Sequence, residues 1–414
     1  MKRALLAGMG LIAACVAMAQ VPNLAEAPGL FFLLFAIAFL CYVAGIICLP
    51  VGSGTRSVAV VLAVGALARL LLLATPPTLS TDVYRYVWDA RVAQAGISPY
   101  HYAPWAKELE PLRDTEVFPR LNHPTWRTIY PPGAQAFFQA VYRVRPDSVL
   151  AMKAALGLAE LIGLAAVLGL LKSTGLPLSQ AVIYAWNPLV LVEVWGMGHL
   201  DALVIPAATG AAWAALRARY ALAGALLGVG ALVKLYPAAL LPLLPLAAWP
   251  VAAGAFAVTL LAGYLPALIS GTAALGSLPR YVSEEYFNPG ILRVLVDAPA
   301  VSLAAAALWV GSVSALRREA PLAGRAVLLI GGLLLLSPNL FPWYAVWLVP
   351  FLAAAPSAPW IAFTGTVVLA YGFFLQQPWA IPWWARAVEF APLVVGLLWW
   401  LATRPVLRWQ ADST

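Results

Sequence analysis

Long apolar runs separated by short polar turns dominate the chain. A helix needs about 20 apolar residues to cross a bilayer. Runs of that order fall at 4–21, 28–49, 57–75, 149–171, 178–195, 200–216, 251–270, 298–316, 357–376 and 386–402. Two further apolar stretches are broken. Lys234 and Pro237 interrupt 220–249, while Ser337-Pro338-Asn339 and Pro342 interrupt 324–355. Each has room for two short helices, and interrupted helices in membranes commonly flank a binding site. The pattern predicts an all-α polytopic membrane protein, a single domain over 1–414 with about 12–14 transmembrane helices.

Two segments do not span. Residues 76–148 form a long loop rich in Pro, aromatic and charged residues. Near its end Ala134, Phe137, Phe138 and Val141 repeat at i, i+3, i+4, i+7 beside Arg143 and Arg145, as in a helix lying in the interface. Residues 271–297 hold Arg280, Tyr281, Glu284, Glu285 and Arg293. Loops this long are usually functional, so 76–148 is read as a catalytic loop and 271–297 as a second loop on the same side.

Composition supports the bilayer. The chain is 63% hydrophobic and only 10% charged, against roughly 25% charged in soluble domains. Its net charge of +8 is dispersed between apolar runs, which argues against nucleic acid and for orientation by the positive-inside rule. With Lys2-Arg3 inside, Arg56, Lys172, Arg217, Arg219, Arg317, Arg318, Arg404 and Arg408 are inside as well. The turns at 22–27, 196–199 and 377–385 contain no Lys or Arg. This makes both long loops extracytoplasmic and predicts a multi-pass plasma (inner) membrane protein. Lys2-Arg3, the apolar stretch to Met18 and Ala17-Met18-Ala19 imitate a cleaved leader. The bundle continues at once, so the stretch is read as the first span. Cys15, Cys41 and Cys48 have no zinc or CxxC spacing and count as small apolar residues.

Chemistry-bearing residues gather on the outer side: Asp82, Arg85, Asp89, His101, His123, His199, Asp201, Lys234, Glu284 and Glu285, including all three histidines. Ionisable residues near membrane depth are costly and mark sites. Ser80 or Thr81 can cap a helix beginning at Asp82. Asp82, Arg85, Tyr86 and Asp89 then share one face, suited to general-base work beside an anion; a solvated Asp82–Arg85–Asp89 ion-pair ladder fits the same spacing. Trp186-Asn187-Pro188 leads to Glu193, Gly198, His199 and Asp201. A turn histidine and a helix cap explain that pair as well as a metal would, since two ligands without a third are weak. Lys234-Leu235-Tyr236-Pro237 offers a cation at headgroup level, or a snorkelling lysine. Asn122-His123, Trp126, Arg127 and Tyr130-Pro131-Pro132 end the long loop, and Pro342-Trp343-Tyr344 adds aromatic surface; these rings also suit interface anchors. P-loop, GxGxxG, DxD and HExxH patterns are missing, so the outer site does not look built for a soluble nucleotide.

At Ser80-x-Asp82-x-x-Arg85-Tyr86, Arg91, Gly96-x-x-Pro99-Tyr100, Tyr130-Pro131-Pro132, Trp186-Asn187-Pro188, Gly198-His199-x-Asp201 and Lys234-x-x-Pro237 the chain resembles the GT-C superfamily of membrane glycosyltransferases. The resemblance is strongest to glycosyltransferase family 87 and the polyprenol-phosphate-mannose-dependent α-mannosyltransferases. It covers about residues 76–240; three apolar runs precede Asp82, where many relatives have one. It implies transfer of a hexose, mannose in those relatives, from a polyprenyl-phosphate donor to a lipid or glycan acceptor at the outer face. Asp82 would be the catalytic base of an inverting transfer. Lys234 and Arg85, with His199 or Arg280 as alternates, would stabilise the departing phosphate. Asp89 and Tyr130 would complete the substrate site, and Asp201 would orient His199. No cofactor or metal is called for. A transporter or flippase of lipid-linked saccharides is the main alternative, but the inverted repeats such proteins carry are not visible. A non-catalytic scaffold would not need Asp82 and Asp89 on one face.

Overall fold

A computed structural model describes residues 1–50, 54–269, 271, 274–285, 288–316, 319–377 and 380–403. Among them the chain is helical, with one isolated antiparallel bridge between Pro289 and Asn339. Eight described helices are long and apolar enough to cross a membrane. They include α1 (Lys2–Ala19), α2 (Pro28–Cys48), α3 (Thr55–Leu73) and, after α4 (Asp82–Gln94) and α5 (Pro132–Val144), α6 (Val149–Ser173). Four shorter apolar helices join them. Local signals place the ends. Pro28 opens α2 where its missing N–H is harmless, and the Ser148 hydroxyl caps α6 by accepting from Ala151 N–H. The sides of α1 bearing Ala4, Leu11, Cys15 and Met18 are buried, and α1 packs on α2 and α3.

The run 178–195 does not form the single helix its length predicts. It breaks into turns at Leu178–Ala181, Val182–Ala185 and Pro188–Val190 and a π-helical stretch at Leu191–Gly196, nearly all buried. A segment apolar on every side belongs to a core as readily as to lipid, and Pro188 cannot continue the preceding helix. The Trp186-Asn187-Pro188 motif ties this core together. Trp186 Nε1 donates to Val61 O at 2.9 Å, and its ring leaves no room for a side chain at Gly45. Asn187 Oδ1 caps the turn through Leu189 N–H, while Nδ2 donates to Tyr42 and Thr364. The 220–249 stretch gives one helix, Tyr220–Ala231, and then 3-10 turns at Tyr236–Leu243 and Leu246–Ala248, as Pro237 and Pro242 dictate. The 324–355 stretch divides as its breaks predict, into Leu322–Leu336, Pro342–Trp347 and Val349–Ala354.

Between α3 and α6 the bundle holds an ion pair that the apolar pattern conceals. Arg69 meets Glu160 in a two-pronged contact at 2.9 and 2.6 Å, with both side chains at most 1% exposed. Arg69 Nη1 also donates to the carbonyls of Gly65 and Ala185, and Trp195 Nε1 donates to Glu160. Arg56 lies at the far end of α3 from the 76–148 loop, as Lys172 does on α6. Arg317, Arg318, Arg404, Arg408 and part of the 377–385 turn lie outside the described residues.

Candidate active site

The 76–148 loop is a folded layer. Arg91 on α4 is its staple. It reaches Asp114 at 2.6 Å, Asp147 at 2.7 Å and the Leu112 carbonyl at 3.0 Å, tying the loop's middle and end to its first helix. Burial works against an ionised Asp114, yet Arg91 and the N–H groups of Val117 and Phe118 bring its carboxyl down to about 2. Tyr100 donates to the Tyr130 carbonyl at 2.7 Å. Residues 132–144 form the expected helix, buried at Ala134, Gln135 and Phe138. The motif residues Arg91 and Tyr100 thus shape the loop.

Over the loop's inner edge lies a cavity of about 580 Å³, within the usual range for small-ligand sites. Its walls come from 78–82, 122–131, 233–236, 278–285 with Asn288, 337–347 and 370–374. The two long loops close on each other at its rim. Ser277 N–H donates to the Thr128 carbonyl at 3.0 Å, His123 Nε2 lies 3.2 Å from Glu285, and the Arg280 guanidinium sits 4.7 Å from the Trp126 ring centre.

Asp82, Arg85, Tyr130 and Lys234 line this cavity; Asp89, His199, Asp201 and Arg280 do not. Asp82 opens α4 as foreseen, but Thr81 makes no side-chain cap, and Ser80 Oγ accepts from Asp82 N–H instead. The Asp82–Arg85–Asp89 ladder does not form. Arg85 pairs with Asp89 alone at 2.8 Å, and both are buried, Asp89 at 1% exposure. Gln135 on α5 donates to the other Asp89 oxygen and to Thr128 Oγ1. Arg85 Nη2 holds the Trp126 carbonyl at 3.0 Å. Asp82 turns elsewhere. Its Oδ1 accepts from Asn122 Nδ2 at 2.5 Å, and among the described residues no basic group lies within 4.0 Å of it.

Asp201 does not orient His199. It receives Lys234 Nζ on both oxygens, at 2.7 and 2.9 Å, and Trp347 Nε1 at 2.5 Å. His199 is fully buried, its Nδ1 3.1 Å from Glu193, which also accepts from the Tyr371 hydroxyl. The turn just before them is set by glycine. Gly198 has φ +78°, open to glycine but strained for other residues, and a Cβ there would meet Lys153. His199 and Asp201 leave the turn toward different partners, not as a ligand pair. Arg280 pairs with Glu284 at 2.7 Å on the outside.

The aromatic residues form walls. Trp343 lies stacked between His199 and Phe341, at 4.1 and 4.6 Å between ring centres. Trp347 lies between Tyr236 and Tyr344, and Lys234 Nζ sits 4.3 Å from the Tyr344 ring centre. Trp347 and Tyr371 were not singled out from sequence, while Asn122 and Tyr281 were noted in the two loops without a role in the site. The break at 337–342 was the one signal pointing to this wall.

A family model described as "Alpha-(1->6)-mannopyranosyltransferase, N-terminal domain" matches residues 5–252, more than half of the chain. That region contributes Asp82, Asn122, Arg127, Tyr130 and Lys234 to the cavity. No curated protein and no solved structure matches the chain.

Proposed function

From the premise that this chain belongs to the alpha-(1->6)-mannopyranosyltransferase family, we propose that it moves mannose from a polyprenyl-phosphate donor onto a lipid or glycan acceptor at the extracytoplasmic face, with Asp82 as base. The family makes it a membrane mannosyltransferase. Donor, acceptor, face and base are our reading. One observation carries it: Asp82 lines the cavity with an amide partner on one oxygen and, among the described residues, no cation within 4.0 Å of either. A carboxylate held in place but not neutralised suits a proton acceptor.

In this reading the acceptor hydroxyl rests on Asp82. As its oxygen attacks the anomeric carbon, its proton passes to the carboxylate and the bond from that carbon to the phosphate oxygen breaks. The electron pair leaves with the polyprenyl phosphate. One displacement inverts the centre, so an α product calls for a β-linked donor. Lys234 spends two N–H groups on Asp201 and keeps one for the departing phosphate, while the rings of Trp343, Tyr344 and Trp347 offer faces to sugar or isoprenoid. The positive-inside pattern supports an outer site, because Arg56 and Lys172 lie at the ends of α3 and α6 remote from the cavity.

The test is transfer itself. Reconstituted protein is given polyprenyl-phosphate mannose labelled in the sugar, with membrane lipid acceptors. Label in a new mannolipid of α configuration is expected. Label that crosses the bilayer still attached to the donor indicates a flippase and overturns the proposal.

A further inference from the structure

We propose that Arg127 is the residue that binds the donor's phosphate, an inference that rests on the transferase reading above. Among the described residues three Arg and Lys side chains, Arg85, Arg127 and Lys234, line the cavity, beside His123 at 3.2 Å from Glu285. Two of the three are already neutralised. Arg85 is locked to Asp89 at 2.8 Å and Lys234 to both oxygens of Asp201. Arg127 has no carboxylate within 4.0 Å among the described residues. Its one described contact is Nη1 to the Tyr100 carbonyl at 3.5 Å, the outer limit of a hydrogen bond. Asp82 is its counterpart, a cavity carboxylate without a cation. The two do not pair, so the cavity lining holds a carboxylate and a guanidinium that lack an ion-pair partner within 4.0 Å among the described residues.

That arrangement fits the bonds that must change. A proton leaves the acceptor toward a negative group, and a phosphodiester becomes a phosphomonoester with more negative charge. Lys234 can lend its remaining N–H to the second event, but its charge is matched by Asp201 as that of Arg85 is by Asp89, so the added net positive charge is left to Arg127. An arginine also presents paired N–H groups that match phosphate oxygens. The backbone around Arg127 is built to hold it. Arg85 grips the carbonyl of Trp126, Ser277 N–H grips that of Thr128, and Gln135 grips the Thr128 hydroxyl. The main chain is fixed on both sides while the guanidinium stays exposed at the rim.

Short-chain polyprenyl phosphate without sugar is the probe, used as a competitive inhibitor of mannose transfer, with inorganic phosphate as a parallel arm. Arg127→Ala is expected to raise donor KM and the inhibitor constant roughly ten-fold or more, with acceptor KM and melting temperature unchanged. Arg127→Lys should recover most of the loss. Arg120→Ala, which removes an arginine paired to Glu116 outside the cavity, should change neither constant. Unchanged inhibition of Arg127→Ala overturns the assignment while leaving the transferase reading intact, as does a rise confined to acceptor KM. A wild-type protein that neither uses the lipid donor nor is inhibited by its phosphate overturns both. Inhibition by inorganic phosphate as strong as by the lipid shows the site reads free phosphate, and overturns the lipid donor's place in it.

Discussion

The Arg69–Glu160 pair and the Asp82 carboxylate sit on either side of the short link from α3 to α4, and they obey opposite rules. Arg69 and Glu160 are fully withdrawn from solvent, meet in two hydrogen bonds and pass their remaining capacity to two carbonyls and an indole. Asp82 stands at a cavity wall with one amide for company. Satisfied charges hold a bundle together but have nothing left to offer a substrate. A charge left uncompensated costs stability, which is tolerable where a ligand will meet it. By that criterion the buried pair Arg85–Asp89 stands with the architecture and Asp82 and Arg127 with the chemistry, while Lys234, paired to Asp201 yet lining the cavity, belongs to both.

The comparison can be broken at the structural end first. Arg69→Met strands Glu160 in the core and should destabilise the protein by about 3–5 kcal/mol, read as a fall in melting temperature in detergent. Arg69→Met with Glu160→Leu should recover much of it, because the stranded charge is gone. A single variant as stable as the parent would remove the distinction.

Lys234 sharpens the boundary, since it touches both sides. Lys234→Met leaves Asp201 buried with only Trp347 Nε1, so melting temperature and turnover should fall together, the former by about 2–4 kcal/mol of stability. Adding Asp201→Asn should restore the melting temperature but not the turnover. Restoration of both would make Lys234 purely architectural.

Asn122 is a finer probe. Asn122→Ala frees the bonded oxygen of Asp82 without removing the base, and kcat should drop about ten-fold, in line with one hydrogen bond to a charged group, with melting unchanged. The smallest effect concerns Asp114. Its carboxyl is held below its ordinary range in the folded chain, so its contribution is present above the unfolded value and is lost as pH falls toward about 2. Asp114→Asn should therefore lower the melting temperature slightly at neutral pH and less at the acid end of that window.

Much of the fold was legible because lipid imposes a simple demand, long apolar runs with basic turns on one side. The broken course of 178–195 was not foreseen because a buried core segment and a straight span share the same apolarity, and only Pro188 and Asn187 hinted at a break. For the site, helical spacing brought Asp82 and Arg85 to the cavity wall, whereas Asp89 turned inward to Gln135, a partner 46 residues away. Partner choice was the illegible part. Nothing local tells that Asp201 prefers Lys234 to His199, or that Arg69 finds Glu160, since such pairs form only once distant helices pack. Arg127 was visible as a basic loop residue, but its lack of a counter-ion is a property of the folded loop.

The most direct test sets Asp82→Asn beside Glu160→Gln, each measured for kcat in mannose transfer and for melting temperature. The account predicts that Asp82→Asn loses about 10²–10⁴ in kcat and keeps its melting temperature, while Glu160→Gln melts early and turns over near normally where it remains folded. Near-normal turnover by Asp82→Asn would contradict it.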